Sequence, residues 1–278
     1  MKVRIPTLIF VVFVFSMIAW NPAHAGSLYD AAKSGDVKKL QAVIQSGADI
    51  NEKGAEGNTP LHMAVRGQRV EIVKLILSAD ADVNATNNYQ ATPLHDAAWA
   101  GNTTFVNLLM ARGADLNARN NVGETPLYNA AANGNLATVR ALEKNKAKVD
   151  SVTNDGETAL QAAAARGKER MAASLLKYGA DVNAMDRWGT RPIHAASSYP
   201  EMMLFLIYND ADINAADAEG NTPLHITSRK GYIKVVRALV RKGAALNEKN
   251  QAGKTPLALA VENKHGKVAE HLRKHGAK

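Results

Sequence analysis

GNTPLHMA, residues 57–64, decides the fold of this chain, because related segments recur at a nearly constant spacing. The related segments are QATPLHDA (90–97), GETPLYNA (123–130), GETALQAA (156–163), GTRPIHAA (189–196), GNTPLHIT (220–227) and GKTPLALA (253–260). Their third residues are 33 residues apart, except for one step of 31. A fixed period of this length is typical of a repeat architecture, in which similar units stack side by side.

A second motif closes each unit and completes the prediction of two helices per repeat. Its copies are GADIN (47–51), DADVN (80–84), GADLN (113–117), AKVD (147–150), GADVN (179–183), DADIN (210–214) and GAALN (243–247). A threonine such as Thr59 can cap a helix, and the proline that follows it suits the first helical position. In the third unit, Phe105, Val106, Leu108 and Leu109 have the spacing of a buried helical stripe.

These paired motifs resemble the ankyrin repeat, and the resemblance covers the chain from residue 26 to its last residue. It implies an all-α fold, an ankyrin-repeat solenoid of about eight stacked helix-turn-helix units with projecting hairpin loops. We number the predicted repeats from first to eighth: 26–53 (an N-terminal cap), 54–86, 87–119, 120–152, 153–185, 186–216, 217–249 and 250–278 (a C-terminal cap). The stacked units share one continuous core, so that chain length does not predict the number of domains.

The first 25 residues predict a signal peptide. Lys2 and Arg4 precede an apolar run over 5–20, and Ala23-His24-Ala25 places small residues where a signal peptidase cuts. An uncleaved N-terminal anchor is the alternative. Because the chain contains no cysteine, it has neither disulfides nor a lipid-modified cysteine. We therefore expect a periplasmic or secreted protein with no integral membrane segment after cleavage.

The formal charge of +8 is unevenly distributed. Residues 229–278 carry a net charge of +10, whereas residues 26–228 carry −4. Nucleic acid is not an expected partner of an exported chain. The basic C-terminal region is either a solubilising face or a contact for an anionic surface.

The sequence predicts no enzyme. His62, His95, His194 and His225 occupy equivalent places in different repeats, and stacked helices lie about 8–10 Å apart, too far for these residues to share a metal ion. The resemblance implies that each of them forms hydrogen bonds to backbone instead. His271 and His275 could share a helix face as a weak metal site, but a solvated terminal helix is the alternative. We assign no catalytic, cofactor-binding or metal-binding residue.

Residues that the repeat does not require are the candidates for partner binding. The resemblance implies that partners bind the hairpin tips and the first helices, which line a concave surface. The candidates there are Trp99, Trp188, Tyr89, Tyr199, Arg66, Arg166 and Arg229. Exposed tryptophan and tyrosine often anchor protein interfaces. Packing over a neighbouring repeat is the alternative for the aromatic residues, and a solvated rim is the alternative for the arginines.

One unit, RPIHAASSYPEMMLFLIYNDADIN (191–214), departs from the pattern. Arg191 replaces the capping threonine, two residues are missing, and Pro200 is predicted to start the second helix after Ser198 or Tyr199. The shortened turn predicts either a bend between two binding surfaces or a tolerated loop deletion.

Taken together, these features predict an exported, monomeric module that binds a folded protein on its concave face. Its task would be that of a periplasmic scaffold, a protector or an immunity protein. A secreted effector that binds host proteins is the alternative, and an enzyme with a site built on the repeat loops is a weaker one.

Overall fold

The computed structural model describes residues 27–278. The signal peptide predicted for residues 1–25 lies outside the described residues. Within them, the chain forms sixteen α-helices in eight consecutive pairs, so that the predicted all-α solenoid is confirmed. The first helices of the pairs are α1 (Leu28–Ser34), α3 (Pro60–Arg66), α5 (Pro93–Ala100), α7 (Pro126–Ala132), α9 (Ala159–Ala164), α11 (Pro192–Ala195), α13 (Pro223–Lys230) and α15 (Pro256–Glu262). The second helices are α2 (Val37–Gln45), α4 (Val70–Ser78), α6 (Thr103–Met110), α8 (Leu136–Lys144), α10 (Glu169–Lys177), α12 (Pro200–Ile207), α14 (Ile233–Arg241) and α16 (Gly266–Lys274).

Local chemistry explains where each pair begins and turns. Thr92 is the N-cap of α5 and Pro93 is its first helical residue, where the missing N–H costs no hydrogen bond. Gly101 ends the helix with φ of 71°, in the left-handed region that glycine adopts without strain. The next helix, α6, is capped by the side chain of Asn102, which accepts from the Phe105 N–H at 3.1 Å.

The helices stack in two layers, with first helices against first helices and second helices against second helices. One apolar core runs along the stack between these layers from Leu28 to Leu272. Leu94, Phe105 and Leu109 are fully buried in it, as the apolar spacing predicts. No pair of helices could bury this stripe alone, and the neighbouring pairs therefore stabilise one another. In the part of the chain that the structure covers, the longest helices have nine residues, and none is long and apolar enough to cross a membrane.

The sixth repeat departs from the regular geometry. Its first helix, α11, is one turn long and continues as a 3-10 turn over Ala196–Ser198. The second helix, α12, begins at Pro200 with Tyr199 as its N-cap, which decides between the two capping residues that the sequence left open.

A row of hydrogen bonds at the base of the hairpins crosses each of the seven junctions between the described repeats. In each junction, an Asn or Asp side chain of one repeat accepts a hydrogen bond from a backbone N–H of the next, at 2.7–3.0 Å. The accepting side chains are Asn51, Asn84, Asn117, Asp150, Asn183, Asn214 and Asn247. The last residue of the GADVN-like motif is therefore an inter-repeat connector.

Candidate interaction surface

The hairpin tips and the first helices line one continuous side of the stack, which we call the first-helix face. A pocket of about 600 Å³ shows that they belong to the same surface. Its walls include Glu219 and Gln251 from two hairpins, together with Arg229 from α13 and Glu262 from α15. The opposite side, which we call the second-helix face, is formed by the second helices.

Three of the aromatic candidates are exposed on the first-helix face. Trp99 is 55% exposed, Tyr89 50% and Trp188 49%, and Val122 is as exposed as Tyr89 at the next hairpin tip. Met185, which the sequence did not single out, is 58% exposed on the same hairpin as Trp188. The sequence could have identified Met185, because the same hairpin position holds lysine or arginine in several other repeats. Exposed apolar side chains on one face are a feature of interaction sites.

Trp188 is held in place by its neighbours. The Arg187 guanidinium lies 4.3 Å from the centre of the indole ring and also forms a 2.7 Å ion pair with Asp155 of the preceding hairpin. The backbone N–H of Trp188 donates to the Asp186 carboxylate at 2.9 Å. This bond fixes the backbone and the guanidinium contact orients the ring, while half of the side chain stays open to a partner.

Trp99 lies in the last turn of α5, and its backbone is fixed by the next repeat. The side-chain amides of Asn133 and Asn135 donate to its carbonyl at 2.9 Å and 2.8 Å. The indole itself remains largely exposed. The backbone of Trp99 thus serves the stack, whereas most of its side chain is available for contact.

Tyr199 has a packing role in the shortened turn. A Cβ atom placed on Gly167 would lie 2.5 Å from a ring carbon of Tyr199, so the ring covers this glycine closely. The side chain is still 40% exposed. Tyr199 therefore packs over the glycine of the preceding repeat, as Asn135 does over Gly101 and His265 over Gly231. This is the packing alternative raised for the aromatic candidates.

The three candidate arginines differ in their surroundings. Arg66 forms an ion pair with Asp96 of the next repeat at 2.8 Å, and a longer one with Glu56 at 3.9 Å. Arg166 donates to the Ala162 carbonyl at 3.0 Å. Arg229 lines the pocket on the first-helix face. Arg229 is thus placed to contact a ligand, whereas Arg66 is engaged in joining two repeats.

The histidine that recurs in four of the repeats connects neighbouring hairpins through hydrogen bonds. In the second repeat, the Thr59 N–H donates to His62 Nδ1 at 3.2 Å, and His62 Nε2 lies 3.0 Å from the Ala91 carbonyl of the next hairpin. Because Nδ1 accepts and Nε2 faces an acceptor, the ring is neutral with its proton on Nε2. Burial lowers the pKa of His62 to about 4.

The same bridge recurs with other residues. His95 reaches the Glu124 carbonyl at 3.1 Å, and His225 reaches the Lys254 carbonyl at 3.1 Å. Gln161 reproduces it with an amide, accepting from the Thr158 N–H at 2.9 Å and donating to the Thr190 carbonyl at 2.8 Å. Burial lowers the pKa of His95, His194 and His225. Between residues 27 and 278, no three potential metal ligands come together. The rings of His271 and His275 are neighbours, with centres 4.3 Å apart and planes tilted by 46°.

Comparison with known proteins agrees with this architecture. The family profile described as "Ankyrin repeats (3 copies)" matches residues 28–120, 115–186 and 188–278. Among solved structures, the ankyrin repeat domain of Bcl-3, described as a unique member of the IkappaB protein family, matches with a TM-score of 0.69 and 30% sequence identity. The match covers 78% of this chain and 99% of the Bcl-3 chain. No match was found among curated proteins.

Proposed function

Because this chain belongs to the ankyrin-repeat family, whose domains are typically non-catalytic modules for protein–protein interaction, we propose that it is exported and holds a folded protein partner on its first-helix face. Within the envelope, it would act as a scaffold, a protector or an immunity protein. The export half of the proposal rests on the signal-like residues 1–25.

The observation that carries the binding half is the exposure of Trp99 and Trp188. They are the only tryptophans outside the predicted signal peptide, and both lie on the first-helix face. Burying a tryptophan in an interface removes a large apolar area from water, and a few such residues supply most of the binding energy of many interfaces. A rigid stack holds the two side chains at a fixed separation, which suits a folded partner.

Capture of a partner tests the binding half. The chain from Gly26 onward is immobilised and exposed to an extract of the envelope of the source cells, and the captured protein is then purified for titration. We expect Trp99→Ala or Trp188→Ala to weaken its binding by about 2 kcal/mol, with little change in melting temperature. Tyr208→Ala is the matched control, because Tyr208 is 59% exposed but lies at the end of α12 on the second-helix face.

The outcomes separate the two faces. Equal binding by the wild-type chain and both tryptophan variants would move the site away from the first-helix face. A large loss with Tyr208→Ala alone would place it on the second helices. Tryptophan variants that melt much earlier would show that both side chains stabilise the stack.

Fractionation and intact mass test the export half. We expect a periplasmic or extracellular product that begins at Gly26, because Ala23-His24-Ala25 precedes it. Accumulation outside the cell would favour the secreted effector over the envelope scaffold. A cytosolic product that retains Met1 would rule out the export half while leaving the binding half intact.

A further inference from the structure

The groove between α8 and α10, on the second-helix face, contains a strongly basic pocket of about 450 Å³. Arg140 and Lys144 line it from α8, and Arg170 and Lys177 line it from α10. Tyr178, which follows α10, also lines it, and its ring centre lies 6.0 Å from Lys177 Nζ. The volume lies in the range of about 300–1,000 Å³ that is usual for small-molecule sites.

The charge of these four side chains is not balanced by ion pairs. Within residues 27–278, none of the four has a carboxylate within ion-pair distance. Buried Glu143 adjoins the pocket, because its carboxylate accepts from the pocket-lining Ser174 hydroxyl at 2.8 Å. Glu169 lines the other end of the same groove. Four cations line this pocket without a carboxylate in its lining, so the pocket is strongly positive.

The fold does not require these cations. One repeat earlier, Asn107 of α6 and Ala111, which follows α6, take the positions of Arg140 and Lys144. Like charges four residues apart on a helix are mildly destabilising. The cluster therefore costs stability without serving the packing, and this favours a role in binding an anion.

A second groove offers a natural comparison. Three repeats further along, α14 and α16 place Arg237, Arg241, Lys267 and Lys274 at the four equivalent positions. There, Glu270 takes the position of Ala173, which lines the first pocket. The second groove thus repeats the cations but adds a carboxylate among them.

We propose that the groove between α8 and α10 binds an anion that carries several phosphate negative charges. Arginine matches phosphate oxygens with paired N–H donors, and lysine supplies a point charge. Four cations facing one another can neutralise two phosphate groups held side by side. The ligand is either a free phosphorylated molecule or the headgroup of an anionic lipid, since both present the same chemistry to this pocket. This site is independent of the partner surface on the opposite face.

Titration calorimetry with inorganic tripolyphosphate tests the site directly. We expect Arg140→Asn combined with Lys144→Ala, which copies the third repeat, to weaken binding about tenfold or more. Ala173→Glu, which copies Glu270 at an exposed position, should weaken it similarly without disturbing the core. The matched control is Arg237→Asn combined with Arg241→Ala, which removes the same charge from the second groove and should change the affinity less than about twofold.

Each outcome decides the assignment. If both first-groove variants lose tripolyphosphate binding and the control keeps it, the groove between α8 and α10 is the binding site. Equal loss in the control, or a wild-type chain that does not bind tripolyphosphate, overturns it, because the attraction would then be general or absent. Melting curves of all variants show whether the stack is intact.

Vesicles distinguish the two sources of the phosphate. Binding to phosphatidylglycerol vesicles that is lost in the first-groove variants and displaced by tripolyphosphate assigns a lipid headgroup. Binding of tripolyphosphate without binding to these vesicles assigns a free phosphorylated molecule. Binding to duplex DNA that tripolyphosphate does not displace, with no loss in the first-groove variants, would contradict the proposal.

Discussion

Two junctions between repeats differ in their hydrogen bonds. One lies between the third and fourth repeats, and the other lies between the sixth and seventh. In the first, Asn117 connects the hairpin bases, the Asn121 N–H donates to the Tyr89 carbonyl at the tips, and His95 reaches the end of the next hairpin. In the second, only the base connection from Asn214 is present among these three.

The missing bonds follow from the two-residue deletion. His194 contacts the Ala215 carbonyl at the start of the next hairpin, whereas His95 contacts the Glu124 carbonyl at the end of the next hairpin. Tip bonds join the neighbouring hairpins from the second repeat to the sixth, and again from the seventh to the eighth, but Trp188 and Ala218 do not form one. The base hydrogen bond and the apolar core are present at both junctions, so the repeats stack without the other bonds. The tip bond and the histidine bond can therefore be lost while the stack is kept. The junction next to the deletion therefore has fewer hydrogen bonds on its hairpin side, and the bend stays a prediction.

The largest effect expected from this comparison is on acid stability. The unfolded chain protonates His62 near its usual pKa of about 6.5, whereas the folded chain does so only near pH 4. The unfolded state therefore binds more protons in this window, and stability falls as pH drops through it, by about 3 kcal/mol for this residue. Above pH 7, His62 is neutral in both the folded and the unfolded chain, so it does not contribute to the pH dependence of stability.

His62→Gln isolates this contribution, because Gln161 already forms the same bridge without a titratable group. At pH 7, we expect the free energy of unfolding of the variant to be near that of the wild type. Between pH 7 and pH 4, the variant should lose less stability than the wild type does. Urea unfolding at both pH values measures this difference. An unchanged loss at pH 4 would show that His62 is not responsible for it.

The next largest effect compares two histidines. His95→Ala leaves the Thr92 N–H and the Glu124 carbonyl without their partner, at a cost of about 1–3 kcal/mol. His194→Ala should cost less, because His194 contacts only the start of the next hairpin and its repeat lacks the capping threonine. Urea unfolding of both variants gives the difference, and chelator-treated wild type is the control. Equal costs would mean that the inter-repeat bridge adds little.

Hydrogen exchange should reveal the missing tip bond. The amide of Asn154 is bonded to the Val122 carbonyl at 2.9 Å, whereas the amide of Ala218 has no such partner in the Trp188 carbonyl. We expect protection at Ala218 to be lower by about tenfold or more. Residue-resolved exchange by NMR measures this ratio, and the bonded amide of Gln251 is the internal reference. Comparable protection at Ala218 and Gln251 would mean that this junction is as closed as the others.

The smallest effect concerns the cap of the sixth repeat. Arg191→Thr restores the capping hydroxyl and removes the Arg191 Nε, which is buried without a partner. It also removes the bond from Arg191 Nη1 to the Asn183 carbonyl at 2.7 Å. We expect a net stabilisation of about 1 kcal/mol, visible as a higher melting temperature. Arg191→Ala is the control, since it loses the same bond without gaining a cap, and a gain of equal size with alanine would refute the capping explanation.

Sequence patterns predicted the local features well. The Thr-Pro pairs, the small-residue first helices and the start of α12 at Pro200 were all readable, because capping and helical spacing depend on residues within one or two turns. The candidates for partner binding were only partly resolved. The sequence located Trp99 and Trp188 at variable positions, but it gave no sign that Tyr199 covers Gly167 or that Arg66 joins Asp96.

By itself, the sequence determined the repeat, its helix pairs and the positions that packing leaves free, since each of these follows from a short pattern or from its period. The tertiary structure alone decided which carbonyl His194 meets, where the tip bonds stop, and that Arg140, Lys144, Arg170 and Lys177 face one pocket. The physical reason is that these contacts join residues about one repeat apart. Their distances depend on how neighbouring units dock, and a two-residue deletion changes that docking without changing the motif on either side.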